Sequence, residues 1–145
     1  MKNILFYVFI FTSLLLSSCT TDSSNVKKDL LTAHPWREVS DRVDGFEQHN
    51  SSPCSADDMY IFRSDYGFAF DEGATRCQVT SPQSIELGTW AFNTDESRVL
   101  LYLTGFATPS DGYLTTLTEN TLVITFTIVH ADGSTSIEVV TYEKY

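Results

Sequence analysis

From Thr121 to His130 large apolar residues fall on alternate positions: Leu122, Ile124, Phe126 and Ile128 share one face, while Val123, Thr125, Thr127 and Val129 take the other. A period of two sends successive side chains to opposite faces of a strand, so this segment buries one face completely and the other in part. Short runs rich in β-branched and aromatic residues recur along the chain at the spacing of all-β barrels and sandwiches. They predict about eight strands. In order these are Trp36 to Val43, Met59 to Arg63, Gly67 to Asp71, Ile85 to Asn93, Arg98 to Leu103, Tyr113 to Leu117, Thr121 to His130 and Ser134 to Tyr142. Ser64-Asp65-Tyr66, Thr94-Asp95-Glu96-Ser97, Thr118-Glu119-Asn120 and Ala131-Asp132-Gly133 have tight-turn chemistry, which makes consecutive strands antiparallel neighbours. An open sheet of this length leaves two unpaired edges, and closure removes them. The expected fold is therefore all-β, an antiparallel up-and-down meander forming a barrel or half-barrel. A short helix precedes it, capped by Ser23-Ser24-Asn25, running through Val26, Leu30 and Leu31 and stopped before Pro35.

The first residues carry an address. Met1-Lys2-Asn3 is a short positive n-region, and Ile4 to Leu16 is an apolar run of signal-peptide length, too short to span a bilayer. Leu16-Ser17-Ser18-Cys19 resembles a bacterial lipobox, in which the cysteine is acylated and becomes the mature N-terminus. The chain thus divides into a lipoprotein signal peptide (1–18), a lipidated tether (19–25) and a single barrel domain (26–145). Several acyl chains on Cys19, palmitate among the candidates, would anchor the protein without spanning the membrane, each buried methylene adding about 0.8 kcal/mol. Thr20 stands where an Asp accompanies inner-membrane retention in enterobacterial-type lipoproteins, so the resemblance favours the outer membrane of the bacterial envelope, on its periplasmic or its surface face.

Setting Cys19 aside leaves Cys54 and Cys77, an even pair in a chain addressed to an oxidising compartment. They bracket the Met59 to Asp71 hairpin, and a bridge would tie the loop before it to the loop after it. A loop of this size is worth roughly 3 kcal/mol by chain entropy. A redox or metal site would instead want a C-x-x-C pair or nearby histidines, and neither occurs.

Leu30-Leu31-Thr32-Ala33-His34-Pro35-Trp36-Arg37-Glu38-Val39, Cys54-Ser55-Ala56-Asp57-Asp58-Met59-Tyr60-Ile61-Phe62, Asp71-Glu72-Gly73-Ala74-Thr75-Arg76-Cys77 and Gly88-Thr89-Trp90-Ala91-Phe92 follow one another in this order. The ordered set resembles the small lipocalin-like lipoproteins of Bacteroides-type bacteria and covers most of the mature chain. It departs from that pattern at His34-Pro35, which replaces a glycine ahead of Trp36. The resemblance implies a calycin-type barrel and an envelope location, and names no ligand. The inward Arg and Tyr that hold a carboxylate in fatty-acid carriers of the wider group have no evident counterpart: Arg37, Arg42, Arg63, Arg76 and Arg98 lie at strand ends and turns, where a solvated charge is the plainer reading.

The remaining constellations exclude more than they assign. With 9 Lys+Arg against 19 Asp+Glu and a net charge of −10, the chain has no basic stripe for a nucleic-acid backbone. His34, His49 and His130 lack the spacing that puts two nitrogens on one face and read as surface histidines, so no metal is expected. Asp57-Asp58 and Asp71-Glu72 read as a solvated acidic rim, since no D-x-D-x-D-G loop occurs. No G-x-S-x-G elbow, Ser-His pairing or phosphate loop appears, so no catalytic residue, enzyme activity or cofactor is expected. Phe68 and Phe70 share one strand face, as do Trp90 and Phe92. With Leu122, Ile124 and Phe126 they are the candidate lining of a small apolar cavity, the other reading being a filled core.

The expected function is a non-enzymatic, membrane-anchored envelope lipoprotein that binds a small apolar or amphipathic ligand in the barrel mouth. The alternative is a module whose loops dock an envelope protein or glycan, with Phe46 in the wide loop from Asp44 to Ser55 as the contact.

Overall fold

The computed structural model describes residues 23–49 and 52–145. Cys19, the signal segment and the start of the tether lie outside the described residues. Helix α1 (Ser23–Thr32) is followed by nine strands: β1 (Trp36–Val43), β2 (Phe46–Glu47), β3 (Met59–Phe62), β4 (Gly67–Asp71), β5 (Ser84–Phe92), β6 (Arg98–Leu103), β7 (Ser110–Leu117), β8 (Thr121–Val129) and β9 (Thr135–Lys144). Each strand pairs antiparallel with its neighbour, and β9 returns to β1. β1 and β3 to β9 thus close an eight-stranded barrel, and β2 is an extra strand beside β1.

The seams differ in length. β8 and β9 pair continuously from Thr121↔Glu143 to Val129↔Thr135, and β9 pairs with β1 from Trp36↔Lys144 to Val43↔Glu138. β1 and β3, by contrast, meet only at Trp36↔Tyr60. β1 then diverges, with a bulge between Glu38 and Ser40, and its far end pairs with β2 instead. The wide loop expected from Asp44 to Ser55 therefore contains a hairpin. Asp44 and Gly45 both adopt positive φ (50° and 86°), the two-residue turn in which a right-handed twist passes from one strand to the next, and Val43 pairs with Phe46.

One end of the barrel is closed by α1. Leu31 and Trp36 are fully buried there, and the Trp36 indole Nε1 donates to the Leu31 carbonyl at 2.8 Å. Lys27 donates to the Glu96 carbonyl in the β5–β6 turn, Lys28 sits over the Tyr66 ring in the β3–β4 turn, and His34 Nε2 lies 2.9 Å from the Glu119 carbonyl in the β7–β8 turn. Above the helix lie Phe62, Phe68, Trp90, Val99, Leu122 and Ile124, all buried. The Trp90 indole donates to the Arg63 carbonyl at 3.0 Å, so both tryptophans bury their rings without orphaning an N–H. Gly88 marks the β4–β5 bulge: its φ is 147°, and a Cβ there would run into the Tyr102 carbonyl oxygen.

Candidate functional site

The other end of the barrel is framed by the β1–β2 hairpin, the segment leading to β3, the β4–β5 and β6–β7 loops and the β8–β9 turn. A disulfide joins Cys54 to Cys77, Cα to Cα 5.0 Å, and ties the segment before β3 to the β4–β5 loop. The Asp57 carboxylate extends this tie, accepting from the backbone N–H groups of Ala74 and Thr75 and from the Thr75 hydroxyl. These hydrogen bonds, the Thr75 hydroxyl first, hold the Asp57 pKa below the ordinary range.

Two recesses open at this end, one between β1 and the segment before β3 and one at the rim between β6, β7 and β8. A cavity of about 190 Å³ is lined by Glu38, His49, Ser55, Asp58, Tyr60 and Phe70. A second, of about 500 Å³, lies across the mouth against Leu101, Pro109, Phe126, Ile128 and Glu138. Gly112 faces Phe126 across the β7–β8 ladder, and a Cβ there would strike the Phe126 ring and Ile124, so a glycine is what lets that ring lie flat against the wall. The first cavity follows from the short β1–β3 seam, because β1 and β3 part above Trp36 and leave the wall to the loop that carries His49 and Ser55.

The chemistry of this end is acidic. The β1–β9 register pairs Glu38 with Tyr142, Asp41 with Val140 and Val43 with Glu138, so the inward face shared with the core residues Val140 and Tyr142 carries three carboxylates. His49 meets Glu38, Nδ1 to Oε1 at 3.0 Å. Its position is set by Glu47, which accepts from the Ser40 hydroxyl, the Asp41 and His49 backbone N–H groups and Arg42 Nε. The Ser40 and Arg42 bonds, with the two backbone donors, draw the Glu47 pKa down to about 2.

The inward acids move the other way. Burial first, then Glu38 and Glu47, raises the pKa of Asp41, with His49 alone opposing. Burial, Asp41 and Glu38 raise that of Glu138, and burial followed by Glu72 and neighbouring acids raises that of Asp58. Tyr60 is pushed up to about 12 by burial and then by Glu38, Asp58, Asp41 and Glu138. Tyr142 is raised too, through burial and then Tyr60, Glu38, Glu138 and Asp41. Asp41 Oδ1, Asp58 Oδ1 and Glu72 Oε2 are enclosed without a hydrogen-bond partner among the described residues. Each such atom costs about 1–3 kcal/mol relative to a satisfied one.

The residues singled out from sequence separate between the two ends. Phe68, Trp90, Leu122 and Ile124 sit in the packed core, and Phe92 packs against it. Phe70 lines the smaller cavity and Phe126 the larger. Of the acids read as a solvated rim, Asp58 and Glu72 each keep an enclosed oxygen. His49, read as a surface residue, has only 21% of its side chain exposed, and Glu38 only 24%. Glu38, Asp41, Glu138, Tyr60 and Tyr142 were not singled out as site residues. Alternation from Trp36 places Glu38 inward and alternation from Tyr142 places Glu138 inward, but Asp41 joins them only because the bulge shifts the register. Among the described residues, no three His, Cys, Asp or Glu side chains are grouped to hold a metal ion.

Residues 31–124 match the family model of the lipocalin-like domain. The chain belongs to the lipocalin-like domain family. This lipocalin-like protein is also similar to two solved structures of bovine odorant-binding protein. The complex with a selenium-containing odorant is 14% identical, with 81% of this chain and 72% of that chain covered and a TM-score of 0.45. The complex with undecanal is 13% identical, with 77% and 69% covered and a TM-score of 0.43. No curated protein matches the lipocalin-like chain.

Proposed function

We propose that this lipocalin-like protein is a non-enzymatic, envelope-anchored binding protein that holds one small amphipathic ligand at the open end of its barrel. The observation that carries the reading is the uneven filling of the interior. The core at the end closed by α1 is packed with buried aromatic and aliphatic side chains, and the grooves at that end run outside it, between α1 and the strand turns; the opposite end keeps a recess of about 190 Å³ lined by Glu38, Tyr60 and Phe70, and one of about 500 Å³ at its rim against Leu101, Phe126 and Glu138. Small-ligand sites are concave, largely preformed and lined by apolar groups with a few convergent polar ones. The anchor is Cys19, acylated as its lipobox-like context implies, on the outer membrane. Helix α1 begins at Ser23 on the closed end, so an anchor four residues upstream directs the open mouth away from the bilayer.

A second reading is supported by the rim. Phe46, Val79 and Phe106 are 74%, 78% and 73% exposed, Phe46 on the short strand β2 and the other two on the β4–β5 and β6–β7 loops of the open end. They suit docking of an envelope protein or glycan.

Native mass spectrometry of the protein purified from its own envelope, followed by solvent extraction, tests both. A stoichiometric small-molecule adduct is expected, with N-terminal acylation at Cys19 in the intact mass. A bare protein that still co-purifies with a partner, and loses it on Phe46→Ala, would overturn the ligand reading in favour of docking.

A further inference from the structure

The closed end of the barrel carries an apolar stripe that the packed core does not use. Val26 and Leu30 on α1 are spaced i and i+4, and Ala33 just past its end continues the same side. Leu31, on a different side of the helix, is the residue that enters the core. The stripe stays accessible: Val26 is 45% exposed, and Val26, Leu30 and Ala33 with Asp29, Glu119 and Lys144 line a groove of about 390 Å³. This groove runs between the helix, the β7–β8 turn and the end of β9. Tyr145, next in the chain, is 51% exposed and held to the helix side by its backbone N–H, which donates to the Pro35 carbonyl at 3.1 Å. An apolar floor with a long ammonium side chain and a phenol at its edge is the composition that settles at the boundary between lipid and water.

Chain length and charge identify what covers this groove. Cys19 lies four residues before Ser23, where α1 begins, a reach of at most about 14 Å fully extended. The exposed rim residues Phe46, Val79 and Phe106 stand at the far end of the strands, and β9 (Thr135–Lys144) covers roughly 25 Å of barrel axis once its tilt is allowed for. An anchor on so short a tether brings the α1 end to the leaflet and holds the rim away from it. The charges are divided in the same sense. Lys27, Lys28, Arg37, Arg63, Arg98 and Lys144 lie on α1 or at closed-end strand termini, and of the described lysines and arginines only Arg42 and Arg76 lie toward the mouth. The acids of the mouth, Glu47, Asp57, Asp58, Asp71 and Glu72 among them, have no such balance, so an anionic leaflet accepts the closed end and repels the open one.

We propose that the closed end is a membrane-contact surface, with Val26, Leu30 and Ala33 resting on the acyl and headgroup boundary of the leaflet that holds the Cys19 anchor. The inference rests on the anchoring part of the reading above and goes beyond it by giving the folded domain a lipid face of its own. The acylated cysteine supplies the attachment, and the groove beside α1 supplies the orientation.

The acylated full chain, purified in nonionic detergent and reconstituted into vesicles of phosphatidylethanolamine and phosphatidylglycerol, tests this with the photo-crosslinker p-benzoylphenylalanine in place of Val26 or, separately, of Phe46. Irradiation is expected to add phospholipid mass at position 26 at least about tenfold more often than at position 46. Equal lipid capture at the two positions, or none at position 26, in protein whose intact mass shows Cys19 acylated would overturn the lipid face and leave the anchor standing. Capture of a second copy of the chain at position 26 would overturn it in favour of self-association. An unacylated intact mass would sink the anchor and the lipid face together. Ala33→Asp, at an exposed position, should speed transfer of the protein between vesicles about tenfold, whereas Thr80→Asp on the β4–β5 loop leaves the rate unchanged. Equal transfer rates in the two variants would also overturn the lipid face.

Discussion

The two ends of one barrel are built on opposite terms. At the helix-closed end, Leu31, Trp36, Trp90, Val99 and Leu122 are at most 1% exposed, and each indole N–H has a carbonyl to donate to. At the open end the same strands carry half-buried carboxylates with raised pKa values, enclosed oxygens without donors, and empty volume. Close packing makes the first end stabilising. A disulfide and the Glu47 and Asp57 hydrogen-bond sets hold the loops of the second end from outside. A fold can thus separate its source of stability from its site of function along a single set of strands.

The comparison breaks most severely if the closed end is opened. Trp90→Ala should cost about 3–5 kcal/mol in urea unfolding, since a fully buried ring and its hydrogen bond are lost together. A loss below 1 kcal/mol would show that this end is not where stability resides. Next comes the brace. Reduction, or Cys54→Ser with Cys77→Ser, should lower stability by roughly 3 kcal/mol and shift the melting temperature accordingly.

The inward acids should respond in the opposite direction. Asp41 and Glu138 hold their protons to higher pH in the folded chain than in the unfolded one. Their penalty is therefore absent below the ordinary carboxylate values of 3.8 and 4.5, grows as pH rises through the interval up to the raised values, and is complete above them. Asp41→Asn or Glu138→Gln should then raise stability at pH 7 by on the order of 1 kcal/mol, and the gain should vanish below the lower of those ordinary values. A gain that persists in acid would point to packing in place of charge. Phe46→Ala sets the lower limit. The ring stands in solvent on the β1–β2 hairpin, and thermal melting should move by no more than about 0.5 kcal/mol equivalent.

Much of the scaffold was legible in the chain. Strands β1, β4 and β6 run between the same residues that alternation and turn chemistry indicate, and the remaining long strands differ only at their ends. Ser110 to Gly112 were missed at the start of β7 because a serine, an aspartate and a glycine carry no β signal of their own. They are strand because β6 pairs with them, Val99↔Gly112 and Leu101↔Ser110. β2 had a signal that went unread, the Asp44-Gly45 pair.

The candidate site was less legible, and for a physical reason. Apolar side chains announce the inward face because water expels them, whereas Glu38, Asp41 and Glu138 resemble the solvated charges that ordinarily mark the outward face. The sequence by itself determined the antiparallel meander, the short capped helix and a cysteine pair placed around one hairpin, since these depend on local periodicity, turn residues and spacing. Which seam closes the barrel, how early β1 and β3 part, and which way the bulge after Glu38 turns Asp41 were decided only in the tertiary structure. They depend on pairing between segments distant in the chain, where a shift of one residue exchanges the inside for the outside.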